Sequence, residues 1–381
     1  MDYDMARGAE RALRFELGTP DATPLQSRIT TPTRRCPEGA GTLLATDKIL
    51  GVHVGATTVV RASGRLIIGP SRRDPLEHVR TREAWCSSCE NRSNMDDSGQ
   101  KWDRLYSSEV DWKPPIILWA SGSLHERVNL WRTCSWLRQL GIPCSDVLII
   151  ELEPVYGTMK RFSEPPEIPL FDCSASVAHH PDNVLLDRLD RARPWQMERY
   201  DRAVRLWDRY VDENPLPFAE SCAHGVEGFP ELAPLWRLLS CFFPGRRPGD
   251  VLRLSRFDEL ILTILSTEEW QAPVKVHCNR SHLGSDLRHL GFCTGDLFVE
   301  DRLAQWAKHD SSAAVERAPG PKPPGHRMLS KVYRLTDRGQ RLLDKGLERL
   351  TDAPSLPIGG IDAYSASAPW VLLDDRRLAR L

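Results

Sequence analysis

No stretch of this chain stays apolar for the roughly 20 residues that a bilayer crossing requires. The strongest runs, such as 147–150, are far shorter. Charge of one sign is missing as well. The 51 Lys and Arg residues face 52 Asp and Glu, a formal net charge of -1. No global field therefore draws the chain to nucleic acid or anionic lipid, and any such contact has to be local. Residues 1–18 carry acidic groups and no apolar leader segment, which predicts a cytoplasmic location and free thiols for the 10 Cys. A nucleotide signature is lacking too: Gly51 and Gly55 form G-x-x-x-G rather than G-x-G-x-x-G, and no G-x-x-x-x-G-K-[ST] occurs. The G-x-S-x-G elbow of serine hydrolases is absent. Cys86 and Cys89 make one C-x-x-C without a second pair at zinc-ribbon spacing.

What remains is an ordinary globular composition, 41% hydrophobic and 27% charged, which excludes collagen-like and wholly disordered classes. Tryptophan is unusually frequent, 12 against 7 Tyr. Trp119, Trp131, Trp207, Trp236, Trp306 and Trp370 fall at apolar positions of predicted elements, so they read as core anchors.

The pattern predicts an α/β chain in several parts. Residues 1–45 read as a flexible N-terminal arm, and 46–165 as a small Rossmann-like domain. Strands are expected over 49–54 and 65–68, then a clear strand–helix–strand unit over 116–120, 124–140 and 147–152 whose strands should be parallel. Gly141 and Pro143 end its helix. Residues 166–250 read as a linker and helical connector, with an amphipathic helix over 193–212 and an apolar one over 232–243. Residues 251–350 suggest a winged-helix-like domain: a helix capped by Ser255-x-x-Asp258, a short helix after Pro273, and a third capped by Asp296. A hairpin and a last helix, capped by Thr336 and running to 350, complete it. Residues 351–381 end in a second hairpin.

Ligands of open α/β sheets lie beyond the carboxyl ends of the strands. That places Thr57, Thr58, Ser121, Ser123, Glu126 and Arg127 at a candidate rim for a small anionic ligand, with helix N-terminal N–H groups to receive it. The competing reading is simpler: Ser121 or Ser123 caps its helix while Glu126 and Arg127 face water. Cys278, His282, His289 and Cys293 have spacing compatible with tetrahedral zinc, against which Gly284 and Gly291 interrupt any helix there. No cofactor is expected. In 295–310 two basic residues meet four acidic ones, a poor match to a phosphate-lined groove. In 315–338, Arg317, Lys322, Arg327, Lys331, Arg334 and Arg338 meet only Glu316 and Asp337. That basic wing is the candidate contact for nucleic acid or a protein partner.

Several motifs together resemble bacterial proteins carrying the domain of unknown function 1835. They are Ile116-Leu118-Trp119-Ala120-Ser121 with Glu126-Arg127, Phe257-Asp258-Glu259-Leu260 with Trp270-Gln271, Gly295-Asp296-Leu297-Phe298 with Arg302-Leu303, Tyr333-Arg334-Leu335-Thr336 with Gly339, and Leu356-Pro357-Ile358-Gly359-Gly360 before Trp370. The resemblance covers most of 46–381 and implies a strand, a Gly-Asp-Ser-like turn and a helix at the start. Here Gly55-Ala56-Thr57-Thr58 lacks the acidic residue. The expected function is a non-catalytic ligand-binding or regulatory protein. Its rival is an enzyme acting on a nucleotide or phosphorylated small molecule, with Glu126 as acid/base and Arg127 as anion clamp.

Overall fold

The computed structural model describes the backbone of 42–45 and 58–61, and residues 66–89, 114–152, 188, 191–247, 251–278, 298–308, 313–322, 329–373 and 377–381. It is a mixed α/β structure built on a five-stranded sheet. Strand β1 (Thr42–Ala45) pairs in parallel with β2 (Thr58–Arg61) on one side and with β4 (Ile116–Ala120) on the other. Strand β5 (Val147–Glu151) continues in parallel, and β6 (Arg193–Pro194) closes that edge antiparallel. The order is β2-β1-β4-β5-β6.

The expected strand–helix–strand unit is present, with parallel strands. Its helix, α2 (Leu124–Gln139), ends before Gly141, whose φ of 76° favours glycine. Residues 42–45 of the expected arm are instead an inner strand of the sheet, and the rest of it lies outside the described residues. The strand expected over 65–68 is not formed: 66–68 turn, and the short β3 (Gly69–Pro70) follows. The apolar run misled because Leu66, Ile67 and Ile68 are buried as a turn, with the carbonyl of Ile68 held by Arg82 Nη1 at 2.6 Å. The strand expected over 49–54 lies outside the described residues.

Helix α1 (Pro75–Ser88) starts on Asp74, whose side chain accepts from the N–H of Glu77 at 2.8 Å, with proline at the first helical position. Helix α3 (Met197–Tyr210) is shorter than 193–212, since Arg193–Pro194 pairs with β5. Its Tyr200, Ala203, Val204, Trp207 and Tyr210 recur at helical spacing and are buried, and the Tyr200 hydroxyl donates to the carbonyl of Cys134 on α2 at 2.8 Å. Helices α4 (Leu216–His224) and α5 (Leu232–Leu239) follow.

Strands β7 (Pro244–Arg247) and β8 (Val251–Ser255) form a four-stranded sheet with β13 (Trp370–Leu372) and β14 (Leu378–Arg380). The expected C-terminal hairpin thus exists and joins an earlier one. Helix α6 (Arg256–Ile264) is capped as expected, Ser255 Oγ accepting from the N–H of Asp258 at 3.1 Å. Helix α7 (Pro273–Cys278), helix α8 (298–308), and the antiparallel pair β9 (Val315–Pro319) and β10 (Lys331–Leu335) come next. Thr336 caps α9 (Asp337–Lys345), which stops before Gly346 (φ 86°) instead of running to 350. The Leu-Pro-Ile-Gly-Gly segment forms β11 (Pro357–Gly359), which pairs in parallel with β3 and antiparallel with β12 (Ile361–Asp362). One apolar core runs from Leu66 through Trp131, Trp207, Phe257 and Trp306 to Ile358 and Val371. Trp119, Trp131, Trp207, Trp306 and Trp370 are buried, as their positions in the sequence suggest.

Charged residues of α8 are a correction. Glu300, Asp301 and Arg302 are at most 2% exposed, so the sequence count of charges over 295–310 does not describe a surface. Arg302 forms a fully buried ion pair with Asp258, Nε to Oδ1 at 2.7 Å and Nη2 to Oδ2 at 2.8 Å. Trp306 Nε1, the Tyr364 hydroxyl and Ser255 Oγ also donate to that carboxylate. The remaining Arg302 protons reach the carbonyls of Pro354 and Ser355 and the side chain of Gln305.

Candidate functional site

The rim after β4 does not open toward water. Glu126 and Arg127 are 5% and 6% exposed, contrary to the simpler sequence reading. Glu126 Oε2 accepts from the N–H of Ser121 at 3.0 Å and from its hydroxyl at 2.6 Å. Ser121 Oγ in turn accepts from the N–H of Ser123 at 3.1 Å. Ser123 occupies the N-cap position of α2 without a side-chain cap bond. The first-turn carboxylate of Glu126 therefore satisfies the loop entering α2 and places a negative charge where the helix dipole favours one.

Arg127 turns the other way. Its Nε donates to the carbonyl of Ser121 and its Nη1 to Glu151 Oε1, both at 2.6 Å. Glu151 ends β5, one strand over, so both residues lie at the carboxyl edge of the parallel strands. Arg199 of α3 grips the same carboxylate with two bonds of 2.8 and 2.9 Å, and Trp195 Nε1 adds a fourth donor at 3.3 Å. Burial acts to raise the Glu151 carboxyl, but the Arg199 bonds and the Arg127 charge outweigh it and hold the group below its ordinary value.

Near enough to feel the Arg127 and Glu151 charges is Glu231, 2% exposed, just ahead of α5. Its Oε1 accepts from Trp131 Nε1 at 3.2 Å, while Oε2 has no hydrogen-bond partner among the described residues. Burial pushes this carboxyl up, and the nearby Arg127 charge offsets only part of that. A carboxyl raised in the folded state keeps its proton while the unfolded chain loses its own, so stability falls as pH rises above about 4.5, the ordinary value. Glu231→Gln is expected to remove that fall: urea unfolding from pH 4 to pH 8 should show the variant gaining on the unsubstituted chain as pH rises. An identical pH dependence in both would refute the assignment.

Thr58 does not join this edge. It pairs with Thr42, and Thr42 with Ile116, so Thr58 lies level with the start of β4. Ser121 is five residues further along, roughly 17 Å away in an extended strand. Thr57, Arg327, His282, His289 and Cys293 lie outside the described residues, as does the side chain of Cys278. Of the wing residues, Arg317 is exposed on β9 and Lys322 is half-buried beyond it. Lys331 reaches Glu300 at 4.0 Å, and Arg334 is bonded to Glu316 and stacked 4.7 Å from the ring centre of Trp270.

Sequence reasoning missed Glu151, Arg199 and Glu231. A signal for the first was present: a charged residue closing the apolar run of a parallel strand. Among the described residues no helix is long and apolar enough to cross a membrane, and no group of three or more candidate ligands is placed to hold a metal. Comparison with family models, curated proteins and solved structures finds no match.

Proposed function

We propose that this chain is a non-catalytic binding or regulatory protein that receives a small anionic ligand at the carboxyl edge of its parallel strands. Its Rossmann-like part takes the ligand, and its winged-helix-like part, through the β9–β10 hairpin, meets a nucleic-acid or protein partner. The same reading groups it with the proteins carrying domain 1835, on the motifs given above. The observation that carries it is the convergence of Arg127 and Arg199 on Glu151 at that edge, the position ligands take in sheets of this kind, with the buried Glu231 near enough to feel the Arg127 charge. In the same place Glu126, which the enzyme alternative would use as acid/base, is held by the N–H and hydroxyl of Ser121.

Thermal unfolding in the presence of nucleotides, sugar phosphates and a short DNA duplex tests the reading. A ligand at 100 times its dissociation constant should stabilise the chain by about 2.7 kcal/mol, without being consumed. For the duplex, binding that weakens with salt and with Arg317→Ala would assign the hairpin to nucleic acid; no binding would count against a DNA partner. Steady turnover of a nucleotide or phosphoester, abolished by Glu126→Gln, would overturn the non-catalytic reading.

A further inference from the structure

Four donors converge on the Glu151 carboxylate, a cradle that would serve a ligand carboxylate or phosphate equally well. Parts of the structure other than Glu151 hold the two guanidinium groups in place. Arg127 is anchored through Nε to the carbonyl of Ser121. Arg199 donates to the carbonyl of Gly228 at 3.0 Å and stacks 4.0 Å above the ring centre of Trp195. Gly228 has φ 84°, and a Cβ there would stand 3.1 Å from Arg199 Nε, so the close approach depends on glycine. The cradle has a buried floor and an open side: the Arg127 side chain is 8% exposed, whereas those of Arg199 and Glu151 are 29% and 31% exposed. Close by, within reach of the Arg127 and Glu151 charges, the buried Glu231 has an oxygen without a partner among the described residues, a hydrogen-bonding position left to be filled.

We propose that Arg127 and Arg199 form an anion clamp, that Glu151 is its internal competitor, and that the ligand is a small carboxylate or phosphate bearing an amino or hydroxyl donor for Glu231. The proposal rests on reading this edge as a ligand site. Binding displaces the Glu151 side chain toward solvent, which its partial exposure permits, and the ligand anion takes over the guanidinium bonds. Glu151 thereby sets a threshold: weak or singly bonded anions lose the competition, and a ligand that also engages Glu231 wins it.

Calorimetric titration at constant ionic strength tests this with inorganic phosphate and phosphoethanolamine as probes. Glu151→Gln keeps the side-chain shape and removes the competing charge, so it should bind phosphate at least about tenfold more tightly than the unsubstituted chain. Adding Arg199→Gln should abolish the gain. Arg199→Lys, which keeps the charge and loses the fork, should abolish most of it and serves if the glutamine variant does not fold. Phosphoethanolamine should bind more tightly than phosphate, and Glu231→Met, checked for folding by its melting curve, should erase the difference. Equal phosphate affinity with and without Glu151→Gln, or a gain that survives both Arg199 variants, would overturn the clamp. A ligand from the thermal screen that still binds Arg199→Gln would overturn the clamp alone and leave the binding-protein reading intact.

Discussion

Asp258→Ala should lower the unfolding free energy by about 3–5 kcal/mol, a large fraction of the 5–15 kcal/mol typical of folded proteins. The cause is the partner left behind. Asp258 and Arg302 both have fully buried side chains, and the carboxylate collects five donors, from Arg302 twice, Trp306, Tyr364 and Ser255. Removing it strands a guanidinium in the core with only carbonyls and Gln305 to face. The double variant Asp258→Leu with Arg302→Met removes both charges and should recover much of the loss, which urea unfolding of the three chains would measure. If the double variant is as unstable as the single, the loss belongs to packing and not to the orphaned charge. Burial acts to raise the Asp258 carboxyl, and the Arg302 charge with the bonds from Arg302, Trp306 and Tyr364 reverses the sign, leaving it below its ordinary value. Its stabilisation is therefore complete above the unfolded value of 3.8 and is lost as pH falls through the lower folded value. The double variant lacks this carboxylate, so the share of acid destabilisation that comes from protonating Asp258 should be missing from it.

Trp131→Ala is expected to cost about 3–5 kcal/mol, the range for emptying a buried indole. The ring is fully buried against Phe218 and Phe229, with centroids 6.4 and 6.3 Å away. It also supplies the hydrogen bond to Glu231. Trp131→Phe separates the two contributions: it keeps most of the apolar contact, drops the N–H, and should cost about 1–3 kcal/mol. Combining Trp131→Phe with Glu231→Met removes acceptor and donor together, so the double variant should cost less than the two single losses summed. Strict additivity would mean that the indole N–H contributes nothing through Glu231.

The elements legible in the sequence are those whose cause is local. Strand, turn and helix over 116–140 announce themselves through a short apolar run, small hydroxyl residues and a closing glycine, and Ser255 and Thr336 cap the helices their spacing indicates. What stayed hidden depends on distant partners. Pro244–Arg247 has no alternating pattern and becomes a strand because β8 and β13 lie on either side. The charges of α8 look solvated in one dimension, but Asp258, 44 residues earlier, takes Arg302 inward. At the candidate site the same rule holds. Ser121, Glu126 and Arg127 are near in sequence and were visible, whereas Glu151, Arg199 and Glu231 arrive from three other elements. The stretch 66–68 shows the converse, an apolar run buried without being a strand.

The Tyr364 hydroxyl that completes the Asp258 carboxylate also has an order in time. Domains acquire structure as the chain is synthesised from its N-terminus. Asp258 and Arg302 are made well before Pro354, Ser355 and Tyr364, which supply two acceptors and a donor to the pair. Until that segment emerges, burying the pair leaves Arg302 without two carbonyl acceptors and Asp258 without a donor, so closing the helices over it is less favourable. A chain truncated between 302 and 353 should therefore be cleaved by protease in this region more readily than the full chain.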